Sequence, residues 1–122
     1  MQEISTQVQW DQFIPNQPAA LVLFGGKKCG VCQALKPRIE AIFQEQYPKI
    51  ALAYIDCQSS GLKLCASRSV FSLPVIQLWF EGQFFSEFVR NFSLAQLTQA
   101  AERPYQFLWW FFITIEHDQS DN

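Results

Sequence analysis

Apolar residues fall along this chain in two alternating patterns, short unbroken runs and stripes at helical spacing. Ala19-Ala20-Leu21-Val22-Leu23-Phe24 is an apolar run that reads as a buried strand. From Gln33 to Tyr47 the apolar positions Leu35, Ile39, Ile42 and Phe43 recur at helical spacing, which predicts an amphipathic helix. Ile50 to Ile55 and Val75 to Phe80 are further strand-like runs, and Glu81-Gly82 is a two-residue hairpin signal joining the latter to Gln83–Val89. Ser5 is placed to cap a short helix over Thr6 to Phe13, ended by Pro15 and Pro18. Ser59 or Ser60 begins a less regular helix toward Ser67. Ser93 caps a last helix, with Leu94, Leu97 and Ala101 on one face, ended by Pro104. Strands separated by helices imply parallel pairing and the hairpin adds antiparallel strands. The expected architecture is a mixed sheet with helices on both faces.

Size and charge narrow the classes of function. A chain of 122 residues makes one domain with a single core. A net charge of −2, with no stripe of Lys and Arg, argues against a nucleic-acid surface. No membrane span is expected, since the longest strongly apolar run, Phe107 to Ile115, has nine residues against the ~20 needed. Met1-Gln2-Glu3-Ile4 has neither the basic start nor the apolar stretch of a signal peptide. Four cysteines are too few for a disulfide-dense scaffold, so a reducing cytoplasm is the expected setting.

The chemistry centres on Cys29-Gly30-Val31-Cys32, between the first buried strand and the helix that follows. Two cysteines three apart at a helix start share one face, with Cα atoms about 5 Å apart, a spacing that suits a disulfide. The first cysteine also meets the positive end of the helix dipole, with Lys27 and Lys28 beside it. Each of these features favours thiolate over thiol. The pair could instead be half of a zinc site or two inert core thiols, but cationic neighbours oppose a dication.

With Pro37 five residues past Cys32, and Ser72-Leu73-Pro74-Val75 late in the chain, the sequence resembles the thioredoxin family from the first helix through Arg103. The resemblance implies a thioredoxin-like three-layer α/β/α sandwich over residues 1–104, followed by an apolar aromatic extension over 105–122. It implies that Cys29 attacks a substrate disulfide and that Cys32 resolves the mixed disulfide. It further implies a cis bond before Pro74, a loop at Leu73 whose backbone pairs with an extended substrate peptide, and Val75 pressing on the disulfide. Protein disulfides are the expected substrates, with a reductase or glutathione as electron donor. No cofactor and no metal are expected. Several positions depart from the family's pattern: Lys28 replaces a tryptophan, Val31 replaces a proline, and Arg90 replaces a groove glycine. Leu23 stands where the family buries an aspartate that assists proton transfer at the second cysteine, and Leu52 where its lysine partner often lies. Arg90 therefore implies a groove more basic and narrower than a thioredoxin's, and Lys28, Gly30, Val31, Leu73, Pro74 and Val75 are the other residues expected to shape the site.

Two further features stand outside that pattern. Cys57 and Cys65 read either as a second, regulatory disulfide or as two small buried hydrophobes, and the residues favour the hydrophobes. A four-cysteine metal site fits poorly, because the gap between Cys57 and Cys65 is too wide for a zinc pair. In Phe107 to Ile115, eight of nine residues are apolar, so the segment cannot be wetted on all sides. It either packs on its own domain or makes a homodimer or partner contact anchored by Trp109 and Trp110. His117, among polar residues, is expected to be solvated. The expected function is a thiol–disulfide oxidoreductase. The competing expectation is a thioredoxin-like interaction module that binds through its aromatic tail, with the CxxC not catalytic.

Overall fold

Seven consecutive residues with no exposed surface to speak of form the central strand, which fixes where everything else must lie. In the computed structural model, which describes residues 1–120 (the side chains of 109 and 111–120 excepted), the elements run in the following order. They are β1 (Gln2–Glu3), α1 (Gln7–Phe13), a 3-10 turn at Ile14–Asn16, β2 (Ala19–Gly25), α2 (Gly30–Gln46) and β3 (Ile50–Asp56). There follow α3 (Leu62–Ser67), β4 (Val75–Phe80), β5 (Gln83–Val89) and α4 (Leu94–Ser120). The five-stranded sheet has the order β1-β3-β2-β4-β5. β1 and β2 pair parallel with β3, while β2/β4 and β4/β5 are antiparallel. This is the mixed sheet that the pattern predicts, except that β4, although reached through a helix, pairs antiparallel with β2 where the separation by helices implied parallel pairing.

The period of two along β2 divides its buried run between two layers. Ala20, Val22 and Phe24 join Trp10, Phe13, Leu64 and Cys65 on the α1/α3 side. Ala19, Leu21 and Leu23 join Ile39, Phe43, Leu97 and Ala101 on the α2/α4 side. A strand covered on both faces has no polar alternation, which is why its sequence reads as a continuous apolar run. At the hairpin, Glu81 and Gly82 both take positive φ, 54° and 77°, the backbone that a two-residue turn between twisted strands requires.

Three local expectations are corrected, and one strand was not foreseen. Thr6, rather than Ser5, caps α1: its side chain accepts from the Gln9 backbone, and the Gln9 side chain accepts in return from the Thr6 backbone. The strand β1, only two residues long, carries too little pattern to be visible in the sequence. α3 starts at Leu62 with Gly61 as its cap, because Asp56 first organises a turn. Its carboxylate oxygens accept from the Gln58 amide and the Ser59 hydroxyl, and its carbonyl accepts from the Gly61 amide.

The last correction is the largest: α4 does not end at Pro104 but runs through it to Ser120. An interior proline costs about 3 kcal/mol and one hydrogen bond. Packing beyond it offsets that cost. Tyr105 meets Tyr47 edge-on at 5.1 Å and accepts a hydrogen bond from the Lys49 amide. Leu108 is buried in the α2/α4 cluster. No helix among the described residues is long and apolar enough to cross a membrane. Phe107 and Trp110 are exposed. The expected anchoring by Trp109, the remaining side chains of the aromatic run and the solvation of His117 lie outside the described residues.

Candidate active site

The two cysteines of the motif lie at the carboxyl end of β2 and the amino end of α2. Cys29 is the N-cap of α2 and Cys32 lies in its first turn. They are joined as a disulfide with Cα atoms 5.2 Å apart. Their environments differ: Cys29 is half-buried, whereas Cys32 has no exposed surface. The Cys32 backbone N–H donates to Cys29 Sγ at 3.2 Å. An unpaired helix-terminal amide aimed at a sulfur favours negative charge on that sulfur, as does the dipole behind it. Lys27 and Lys28, both exposed, add positive charge to the approach. Cys29 is thus the more accessible of the two sulfurs.

The loop before the motif is held from the neighbouring strand end. The Lys28 amide donates to Gln58 Oε1 at 2.7 Å, and the Cys57 amide donates to the Gly25 carbonyl at 2.8 Å. The Gly26 carbonyl accepts from the Cys29 amide and from Gln33 Nε2. Gly26 has to be glycine for this arrangement, since a Cβ there would lie 2.3 Å from Gln58 Oε1. By contrast, a Cβ on Gly30 would meet nothing within 4 Å, so packing does not demand glycine between the cysteines. Val31 is 59% exposed and gives the mouth of the site an apolar surface.

The second loop also comes to this end of the sheet. The Leu73–Pro74 peptide is cis. The Pro74 carbonyl accepts from the Arg90 amide at 2.8 Å, which brings the exposed Arg90 beside the proline loop. Arg90 takes φ of 59°, a left-handed backbone that glycine adopts without strain. Leu73 is half-buried, and Val75 is buried in the cluster that holds Phe24, Cys57 and Cys65. Leu23 is buried on β2 in register with Tyr54 and Ile76, and Leu52 is half-buried on β3. No carboxylate lies at either of these two positions.

The favoured reading of Cys57 and Cys65 is overturned. They are not separate hydrophobes but a disulfide, with Cα atoms 5.6 Å apart across eight positions. The turn at 57–61 reverses the chain and the first part of α3 then brings Cys65 back under Cys57, which a count of residues does not reveal. Among the described residues no group of three or more His, Cys, Asp or Glu is arranged to hold a metal ion.

Three residues at the site escaped the sequence reading. Gln58 carried no signal beyond its place after Cys57. Phe71, 78% exposed and three residues before Pro74, is an apolar side chain in a loop, a signal that could have been weighed. Tyr54 is the one aromatic residue in the Ile50–Ile55 run, and it lies buried behind Cys32. An apolar groove of about 500 Å³, lined by Phe80, Phe85, Pro104 and Phe107 among others, opens at the far end of β4 from the cysteines and takes no part in this chemistry.

Comparison with known proteins agrees with this geometry. The family model described as Thioredoxin matches residues 2–103. The chain is 26% identical over 106 residues to the Thioredoxin-like protein YdfQ of Bacillus subtilis (strain 168), covering 87% of this chain and 93% of that protein. It is 31% identical over 80 residues to Protein disulfide isomerase-like 1-3 of Arabidopsis thaliana, covering 66% of this chain and 14% of the relative. The solved thioredoxin of Plasmodium falciparum superposes with a TM-score of 0.73 at 16% identity, covering 84% of this chain and 99% of that one, a likeness of fold.

Proposed function

The chain belongs to the thioredoxin family of thiol–disulfide oxidoreductases, and on that premise we propose that its Cys29–Cys32 pair exchanges with the disulfides of other proteins. Cys29 is the attacking sulfur and Cys32 the resolving one. One observation carries this assignment: the half-buried Cys29 receives a helix-terminal N–H while Cys32 is sealed inside. A thiolate at Cys29 attacks a substrate disulfide and forms a mixed disulfide. Cys32 then displaces the reduced substrate and closes the intramolecular disulfide, which a reductase or glutathione reopens. The loop at Leu73 and Pro74 would align an extended segment by its backbone. Arg90, Lys27 and Lys28 would favour segments that carry acidic residues. The likeness to a relative named for protein disulfide isomerisation supports protein rather than small-molecule disulfides. The setting proposed for it is a cytoplasm that supplies glutathione or a reductase as donor.

Equilibration with glutathione buffers, with thiols counted by alkylation and mass, tests the proposal. In a Cys57→Ser/Cys65→Ser background, which removes the other disulfide, a reversible two-electron couple between about −270 and −120 mV is expected, and it should disappear when Cys29→Ser is added. A Cys29→Ser variant that retains full exchange activity defeats it.

A second reading has one observation in its favour. Phe107 and Trp110, whose rings lie 6.4 Å apart on α4, are 71% and 61% exposed. Large aromatics exposed together suit a contact with a second copy or another protein. On this reading, sedimentation of the wild type and of Phe107→Ser/Trp110→Ser separates an associating species from a monomer.

A further inference from the structure

Resting on the exchange reading above, there is a chemical requirement at Cys32 that the residues so far described leave unmet. The resolving sulfur is fully buried, and a thiol in apolar surroundings resists ionisation. Its own backbone N–H is directed at Cys29. Leu23 and Ile76, the neighbouring inward positions, offer no polar atom. Asp56 is buried at the end of β3, but both its oxygens accept from Gln58 and Ser59.

Tyr54 brings a polar atom to this region. It sits on β3 in register with Leu23, on the α2/α4 face of the sheet, and is 4% exposed. The point that a Cβ on Gly25 would occupy is flanked by Cys32 Cβ at 3.0 Å, by Tyr54 Cε2 at 2.9 Å and by Tyr54 Oη at 3.3 Å. The phenol and the Cys32 side chain therefore converge on the space that the missing side chain of Gly25 leaves open. Gln33 Nε2 approaches the hydroxyl oxygen as a donor at 3.4 Å, so this contact does not use the phenolic proton. The ring is fixed from α2 by Lys36, whose Nζ lies 4.4 Å from the ring centroid.

We propose that Tyr54 is the positioning residue for Cys32, its hydroxyl donating a hydrogen bond to Cys32 Sγ when the disulfide opens and so holding that sulfur as a thiolate. Directly or through one water the effect is the same in kind. The resolving step then balances without another reagent. The Cys32 thiol releases its proton to solvent, and its thiolate attacks Cys29 Sγ of the mixed disulfide. The Cys29–Cys32 bond forms, the bond from Cys29 to the substrate breaks, and the substrate sulfur leaves with the electron pair and is protonated by water. Tyr54 keeps its own proton throughout. Its titration agrees: burial first, then the negative charge of Asp56, raise the phenol above the ordinary tyrosine range, with Glu3 adding to the rise and Gln33 opposing it. The charged groups facing it are thus Lys36 from α2, Asp56 from β3 and Glu3 from β1.

The test is rapid mixing of dithiobis(nitrobenzoate) with the reduced Cys57→Ser/Cys65→Ser protein, in which Cys29 and Cys32 are the two thiols, across a pH series, with Tyr54→Phe and Tyr47→Phe made in the same background. The first thionitrobenzoate released reports attack by Cys29 and the second reports resolution by Cys32. In Tyr54→Phe the second phase should slow about tenfold at neutral pH and its pH midpoint should rise by about one unit, with the first phase unchanged. Tyr47→Phe, which removes another buried hydroxyl, should leave both phases as in the wild type. A Tyr54→Phe variant whose second phase keeps its rate and midpoint overturns the proposal. So does a wild-type midpoint for that phase well above the ~8.5 of an ordinary thiol, whether or not Tyr54→Phe folds. A wild-type protein that releases no second thionitrobenzoate fails at the exchange reading itself, a result distinct from either.

Discussion

The Cys57–Cys65 bridge makes a prediction whose size follows from its place in the chain. Starting from Cys29→Ser/Cys32→Ser, only this one disulfide remains, so reduction removes a single crosslink. The bridge joins positions eight apart. Closing a loop of that length in the unfolded chain costs it entropy worth about 2.5 kcal/mol at room temperature, which is the stability the bridge contributes. For a protein of this length, that corresponds to a fall of about 10 °C in Tm on reduction. Thermal unfolding followed by circular dichroism, with and without a phosphine reductant, measures it. Alkylation and mass should count no free thiol in the oxidised form and two in the reduced form. The same reduction should loosen the site loop, because Gln58, next to Cys57, holds the Lys28 amide at 2.7 Å. Hydrogen exchange at Lys28 should therefore quicken. A Tm that moves by less than about 2 °C on complete reduction would refute the entropic reasoning. Two alkylated thiols in the oxidised protein would refute the bridge.

Two further predictions concern α4 and what packs on it. Leu108→Ala empties a position 6% exposed and should cost roughly 2–5 kcal/mol in urea unfolding; a loss under about 0.5 kcal/mol would mean that the core ends before Leu108. Tyr47 donates to Glu102 from a buried position, and burial, with the hydrogen bond and charge of Glu102, pushes its phenol up to about 12. A raised folded-state value favours the protonated form. Its contribution to stability should be whole below the ordinary value near 10 and should be lost as pH climbs toward about 12. Tyr47→Phe should flatten that part of the stability-against-pH curve, and an unchanged slope would contradict the assignment.

Much of this protein was legible from local pattern. The strand at 19–24, the hairpin at Glu81-Gly82 and the helix opening at the cysteines are each stated by a short stretch of residues, because period and turn chemistry act over neighbours. The Cys29–Cys32 pair was legible for the same reason: one helical turn fixes its geometry, whatever the rest of the chain does. The order of strands and helices followed as far as helices imply parallel pairing. Beyond that, local preference lost to packing. Pro104 is a stop signal by itself, yet Tyr105 and Leu108 find enough buried surface to carry α4 past it. Cys57 and Cys65 look like two small hydrophobes until the turn led by Asp56 brings them together. Nothing in the sequence sets Tyr54 behind Cys32; that follows from the register of β3 on β2 and the missing side chain at Gly25. The sequence by itself determined the reacting sulfurs and the elements that present them, because those depend on residues a few positions apart. Only the tertiary structure decided what surrounds the buried sulfur, because that depends on strands whose contact is set by the burial of the whole core.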